Sequence, residues 1–205
     1  MRRLGSAFAS ALALTISIPA ARGDEASDLL FFSGDLMNRR SFAGAGWLHA
    51  ASGLDLDGVI FQAELGGQQS SRAYGQAAAG WRFSRPGLSA TLLGGAEIAS
   101  RNALAVRPLA SGDLWWEPAR DWMANAQIQA TPAYVSWRLA TGVRPINNWP
   151  WIGPEAAACT GEWRVGVQAT GIRLGGGLEA RVSAGVSRTG GRSGPYGEIG
   201  LWRRF

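Results

Sequence analysis

Lysine is missing from this chain, and cysteine and histidine occur once each, as Cys159 and His49. A lone cysteine has no partner within the chain, so no internal disulfide is expected. One His and one Cys cannot assemble the ligand clusters of a zinc or similar metal centre, which leaves only a carboxylate site as a formal option. No metal and no cofactor are therefore expected. Charged residues make up 17%, against about 25% in ordinary soluble domains. All basic residues are arginine, and the net charge of +5 falls to +2 once Arg2, Arg3 and Arg22 are set aside with a leader segment. A chain so near neutrality lacks the basic surface that phosphate backbones require, so nucleic acid is excluded as a partner. Long apolar runs are also missing: Leu4 to Ile18 is too short for a helical span of about 20 residues and stops at Pro19.

That run has another reading. Arg2 and Arg3 precede it, and Ala21-Arg22-Gly23 follows with small residues at the two positions a signal peptidase reads. The expectation is a signal peptide over residues 1–23, cleaved before Asp24, and one domain over 24–205.

What the chain does have is glycine (29), tryptophan (10) and a two-residue rhythm. Trp122, Ala124, Ala126, Ile128 and Ala130 alternate with Met123, Asn125, Gln127, Gln129 and Thr131. Leu178, Ala180, Val182, Ala184 and Val186 alternate with Glu179, Arg181, Ser183, Gly185 and Ser187. Residues 163–170 and 135–144 repeat the pattern, as a strand requires. Weaker runs lie near 29–37, 42–50, 57–67, 72–83, 88–99, 109–117, 150–159 and 195–205, making about twelve strands. Turn residues separate them at Asn38-Arg39-Arg40, Ser52-Gly53, Arg85-Pro86-Gly87, Glu117-Pro118, Gly175-Gly176-Gly177 and Thr189 to Pro195.

A soluble β-sandwich also alternates. Strand length argues instead for an antiparallel up-and-down transmembrane β-barrel, because a tilted strand crosses the hydrocarbon layer in about 9–11 residues. Aromatics gather near strand ends (Phe31/Phe32, Trp81/Phe83, Trp115/Trp116, Trp122, Trp149/Trp151, Trp163, Trp202), as in the girdles at a membrane interface. Phe205 ends the chain, with Glu198 and Gly200 before it, and resembles the C-terminal signal read by the barrel-assembly machinery. The penultimate aromatic of that signal is displaced to Trp202. These features point to the outer membrane of a Gram-negative bacterium, with outer-membrane lipid and the assembly machinery as partners.

Several blocks, in order along the chain, resemble the cellulose biosynthesis protein BcsS family. They are Leu30-Phe31-Phe32-Ser33-Gly34-Asp35-Leu36, Leu54-Asp55-Leu56-Asp57-Gly58-Val59, Ala79-Gly80-Trp81-Arg82-Phe83, Asp113-Leu114-Trp115-Trp116-Glu117-Pro118, Ile152-Gly153-Pro154-Glu155-Ala156 and Gly191-Arg192-Ser193-Gly194-Pro195-Tyr196-Gly197. Gly66 to Tyr74 is shorter than the Tyr/Gly-rich hairpin of that family. The resemblance implies a non-enzymatic accessory role in cellulose (exopolysaccharide) biosynthesis or export, with cellulose or export components as candidate partners. It brings no catalytic residue with it.

The residues themselves offer no convincing enzyme site. His49 is the only candidate base for a lipid-modifying hydrolase, with Ser33, Ser41 or Ser52 as its nucleophile, and it reads more simply as a solvated residue near a turn. Glu155 with Glu179 reads as ion-pair chemistry sooner than as a glycosidase pair. The inward face carries Asp35, Glu64, Arg82, Glu97, Asp113, Arg138, Arg144, Glu155, Arg164, Glu179, Arg181 and Glu198. Such ions are expected to pair across strands, since isolated charge in a narrow lumen is costly. They either fill the barrel or line a polar path on which Trp115, Trp151, Tyr196 and Trp202 stack against sugar rings. A small solute porin is the alternative function.

Overall fold

The structure, a computed structural model, describes residues 26–37, 40–68, 72–100 and 104–205. The expected signal peptide and its cleavage point lie outside these residues, as does the Asn38-Arg39 turn. Alternating side chains give strands at β1 (Asp28–Met37), β2 (Arg40–Ala50), β3 (Gly58–Gln68), β4 (Arg72–Arg85), β5 (Leu88–Ser100) and β6 (Leu104–Ala119). The second half supplies β7 (Trp122–Thr131), β8 (Tyr134–Val143), β9 (Trp151–Cys159), β10 (Glu162–Gly175), β11 (Leu178–Thr189) and β12 (Arg192–Arg204). Each strand pairs antiparallel with its sequence neighbours, and β1 closes on β12 from Leu29↔Arg204 to Met37↔Tyr196. Among the described residues no helix occurs.

Closure leaves no free sheet edge, and parity then decides the rest. Leu65, Leu92 and Val167 are 71%, 64% and 62% exposed and point outward. So do Phe32, Leu36, Trp81, Phe83, Val106, Trp116, Ile128, Trp137, Leu139, Trp163 and Ile199. A water-soluble protein rarely exposes an apolar patch of more than a few hundred Å². A continuous belt of this kind demands a lipid solvent, and the soluble sandwich is ruled out.

Three strands, β6, β10 and β12, run beyond their expected boundaries. β6 starts at Leu104, not near 109, and runs through Pro108. It also runs through the expected turn at Glu117-Pro118, with a register shift between Trp116 and Ala119. β10 extends past Thr170 to Gly175 because a bulge at Gly171 (φ 73°) breaks the alternation without ending the pairing. β12 starts at Arg192, so Pro195 lies in the strand opposite Val186. The actual turn there is Gly190-Gly191, both at positive φ (56° and 81°), as a two-residue hairpin demands.

Candidate functional site in the barrel lumen

Glycines on the inner face make room for large side chains from the next strand. A Cβ on Gly46 would lie 2.2 Å from Phe31 Cζ, and one on Gly66 would lie 2.6 Å from Tyr74 Cε1. One on Gly185 would lie 2.9 Å from Tyr196 Cε1. The rings therefore lie flat along the wall over bare backbone. In this pose the two tyrosine hydroxyls reach carboxylates: Tyr74 donates to Glu64, and Tyr196 donates to Glu155 at 2.7 Å.

The wall from β8 round to β1 carries a continuous ionic network. Arg138 on β8 pairs with Glu155 on β9, donates to Gln168 Oε1 on β10 (3.1 Å) and reaches Glu198 on β12 at 3.5 Å. Glu198 also pairs with Arg181, and with Arg164 at 2.8 Å. Arg164 continues to Asp35 on β1 at 3.6 Å and covers the Tyr196 ring at 5.6 Å. Three arginines thus meet three carboxylates. The Arg138 and Glu155 side chains are 6% and 0% exposed, so each neutralises a charge that water cannot reach.

A second chain of contacts crosses from β3 to β8. Glu64 accepts from Gln76 (2.7 Å), Gln76 accepts from Gln129 (3.0 Å), and Gln129 donates to Tyr134 (2.7 Å). Tyr134 then donates to Glu97 (2.6 Å), which lies 3.8 Å from Arg107. Beside it, Asp113 on β6 accepts from two amides of β7, Gln127 at 3.0 Å and Asn125 at 3.3 Å.

At the end of the barrel that holds Asp28 and Phe205, the turn over residues 51–57 folds inward. Leu54 is 2% exposed and packs with Leu48, Ala50, Ile60 and Leu93. Arg82 donates to Leu54 O at 2.7 Å, and Arg204 holds Asp55 at 3.0 Å. Asp57 accepts from the Ser84 backbone N–H at 2.6 Å and from Arg85 at 2.7 Å. The Ser84 N–H, then the Arg85 guanidinium, hold its carboxyl below the ordinary value of 3.8.

Above this turn lies a cavity of about 660 Å³, lined by Glu64, Asp113, Arg138, Arg164, Arg181 and Glu198 among the charged residues, together with Trp115 and Trp202. Of the other residues singled out, Arg82 and Asp35 line the same cavity. Glu97 sits in the second chain of contacts. Glu179 accepts from Trp202 Nε1 at 3.1 Å, and Arg144, just beyond β8, lies 4.0 Å over the Trp151 ring. Two expected stacking residues are corrected. Trp151 and Tyr196 are each 4% exposed. Arg144 covers one and Arg164 the other, so neither offers a free face. Trp115, held by Glu117 at 2.8 Å, and Trp202 remain half-buried at the cavity.

His49 lies at the end of β2 beside the turn that starts at Ala51, with its side chain 37% exposed, and it points outward, with ring centroids 5.7 Å from Trp47 and 6.5 Å from Phe61. Its Nδ1 lies 3.0 Å from Asp28, which also accepts from Trp47. Ser33 lines the cavity on the opposite side of the wall. Ser41 lies eight positions back along the strand, roughly 27 Å at ~3.4 Å per residue. Ser52 packs over Gly58. The Glu155 and Glu179 pair likewise separates, since each carboxylate has its own partner. Sequence reasoning passed over Tyr74, Tyr134, Gln76, Gln127, Gln129 and Gln168. Parity alone puts the β7 amides on the polar face, but it does not rank a neutral amide beside an ion.

Fold comparisons agree with the barrel. The KdgM porin superposes with a TM-score of 0.55 at 11% identity, covering 86% of this chain and 99% of that one. The KdgM porin in complex with disordered oligogalacturonate gives 0.58 at 11% identity, with the same coverage. The outer membrane protein Omp33 of Acinetobacter baumannii gives 0.56 at 7% identity, covering 90% and 100%. At these identities the likeness concerns the fold alone. No curated protein sequence matches the chain. The family model of the cellulose biosynthesis protein BcsS matches residues 104–205, which hold β6 to β12.

Proposed function

From the premise that the chain belongs, through residues 104–205, to the cellulose biosynthesis protein BcsS family, we propose that it is a non-enzymatic outer-membrane barrel that assists cellulose synthesis or export. In this reading residues 1–23 direct export and are removed, the barrel-assembly machinery inserts residues 24–205, and the apolar belt meets outer-membrane lipid. The family match carries the reading. The ionic wall supports the non-enzymatic part, because Glu155, Glu198 and Asp113 are engaged by arginine, tyrosine or amide partners. The lipid-modifying alternative loses its support, since His49 and Ser33 face opposite sides of the wall.

The test is deletion of the gene with a cellulose-binding dye as readout. Loss of dye binding with synthase level unchanged is expected, and normal dye binding overturns the role. A small solute porin is the second reading, favoured by the cavity and by the fold shared with the KdgM porin. Planar-bilayer conductance separates the two: an unselective ohmic pore, together with a normal dye phenotype, supports the porin.

A further inference from the structure

The lumen is not uniform, and its open part has a definite chemistry. On the β8 to β12 side Arg138, Arg164 and Arg181 each meet a carboxylate, so none of the three is an unpaired cation toward a ligand. Elsewhere the cavity is faced by a group of amides set beside Glu64, Arg82 and Asp113. Gln127 is exposed although it points inward, so its side chain borders open space. It gives one N–H to Asp113 and retains a second N–H and a carbonyl. Gln129 and Gln62 line the same cavity. Gln168, across from them on β10, is 3% exposed and accepts from Arg138, yet its buried Nε2 donor has no acceptor among the described residues. Gln168 also borders the cavity, where Trp115 and Trp202 stand half-buried.

We infer that this cavity is a binding site for an uncharged oligosaccharide, with Gln127, Gln129 and Gln168 taking sugar hydroxyls and Trp115 and Trp202 stacking on the rings. Paired amide donors and acceptors suit hydroxyl groups, which both give and take hydrogen bonds. An indole offers a broad apolar face with a polar edge, which suits the two-sided polarity of a pyranose ring. A uronate polymer would need free cations, whereas Arg138, Arg164 and Arg181 are engaged by carboxylates and Arg82, the fourth arginine at the cavity, gives its N–H groups to Thr91 Oγ1 and Leu54 O. The choice of a β-1,4-linked glucan within this class rests on the proposed role in cellulose handling.

Calorimetric titration of the refolded full-length mature barrel, in a detergent without a sugar headgroup, tests the site. Cellohexaose is expected to bind saturably, and hexagalacturonate at least tenfold more weakly. Gln127→Leu should weaken cellohexaose at least fivefold and Trp115→Ala about tenfold. The outward Trp163→Phe, away from the cavity, should change nothing. Heat-modifiable gel mobility identifies any variant that does not fold, and Gln127→Leu, at an exposed position, keeps the test open if Trp115→Ala fails. No saturable binding, unchanged affinity in both folded variants, or stronger binding of hexagalacturonate overturns the site. Dye loss on gene deletion without cellohexaose binding removes the site and keeps the cellulose role. Binding with a normal dye phenotype does the reverse.

Discussion

The wall from β8 to β12 and the wall of β6 and β7 border the same cavity and solve the problem of an enclosed interior in different ways. The first places full charges in contact and needs every partner present. Arg138 alone touches Glu155, Gln168 and Glu198. The second gives the Asp113 carboxylate to two amides and leaves amide capacity facing the cavity. The lesson is one of tolerance: a charge network is rigid and intolerant of loss, whereas an amide strip can lose a member cheaply and can exchange partners with a ligand.

The sharpest way to break this contrast is Arg138→Met. It strands Glu155 and takes one partner from Glu198, and is expected to destabilise the barrel by roughly 3–5 kcal/mol in urea unfolding. A cost near zero would mean that the ionic wall is no stiffer than the amide one. Adding Glu155→Leu to Arg138→Met should restore much of that loss, because the buried charge goes with its partner; the cycle should show a coupling of about 0.5–3 kcal/mol. Gly185→Ala should cost about 1–3 kcal/mol by overpacking, since its Cβ would meet Val165 O at 2.2 Å and push on the Tyr196 ring. Gln127→Leu on the amide wall should stay within about 0.5 kcal/mol, measured the same way.

The smallest effect is expected at the inward-folded turn. Asp57 has its carboxyl pKa depressed, so its contribution is complete above its unfolded value of 3.8 and disappears as pH falls through the lower folded value. Asp57→Asn should flatten the pH dependence of the unfolding midpoint only in that acidic window. A change in slope near neutral pH would contradict the assignment.

Much of the architecture was legible before any coordinate. The alternation at 122–131 and 178–187 located β7 and β11 within a residue or two, because side-chain parity is a local property of an extended chain. Pro108 and Gly171 mark where that reading strayed: a proline and a bulge each interrupt the pattern without ending a strand. The site was less legible. Parity put Tyr196 and Trp151 on the inner face but could not say that arginines would cover them. It placed His49 by its neighbours in the chain, while its real surroundings come from β1 and β3.

By itself, then, the sequence determined which side chains face lipid and which face the lumen, since a period of two needs only neighbouring residues. Which ions meet was decided by closure and curvature. Arg138 and Glu198 lie 60 positions apart and become neighbours only when β12 returns to β1 and the walls bend toward one another. The same curvature turns Leu54 into the mouth and leaves the amides of β7 facing open space.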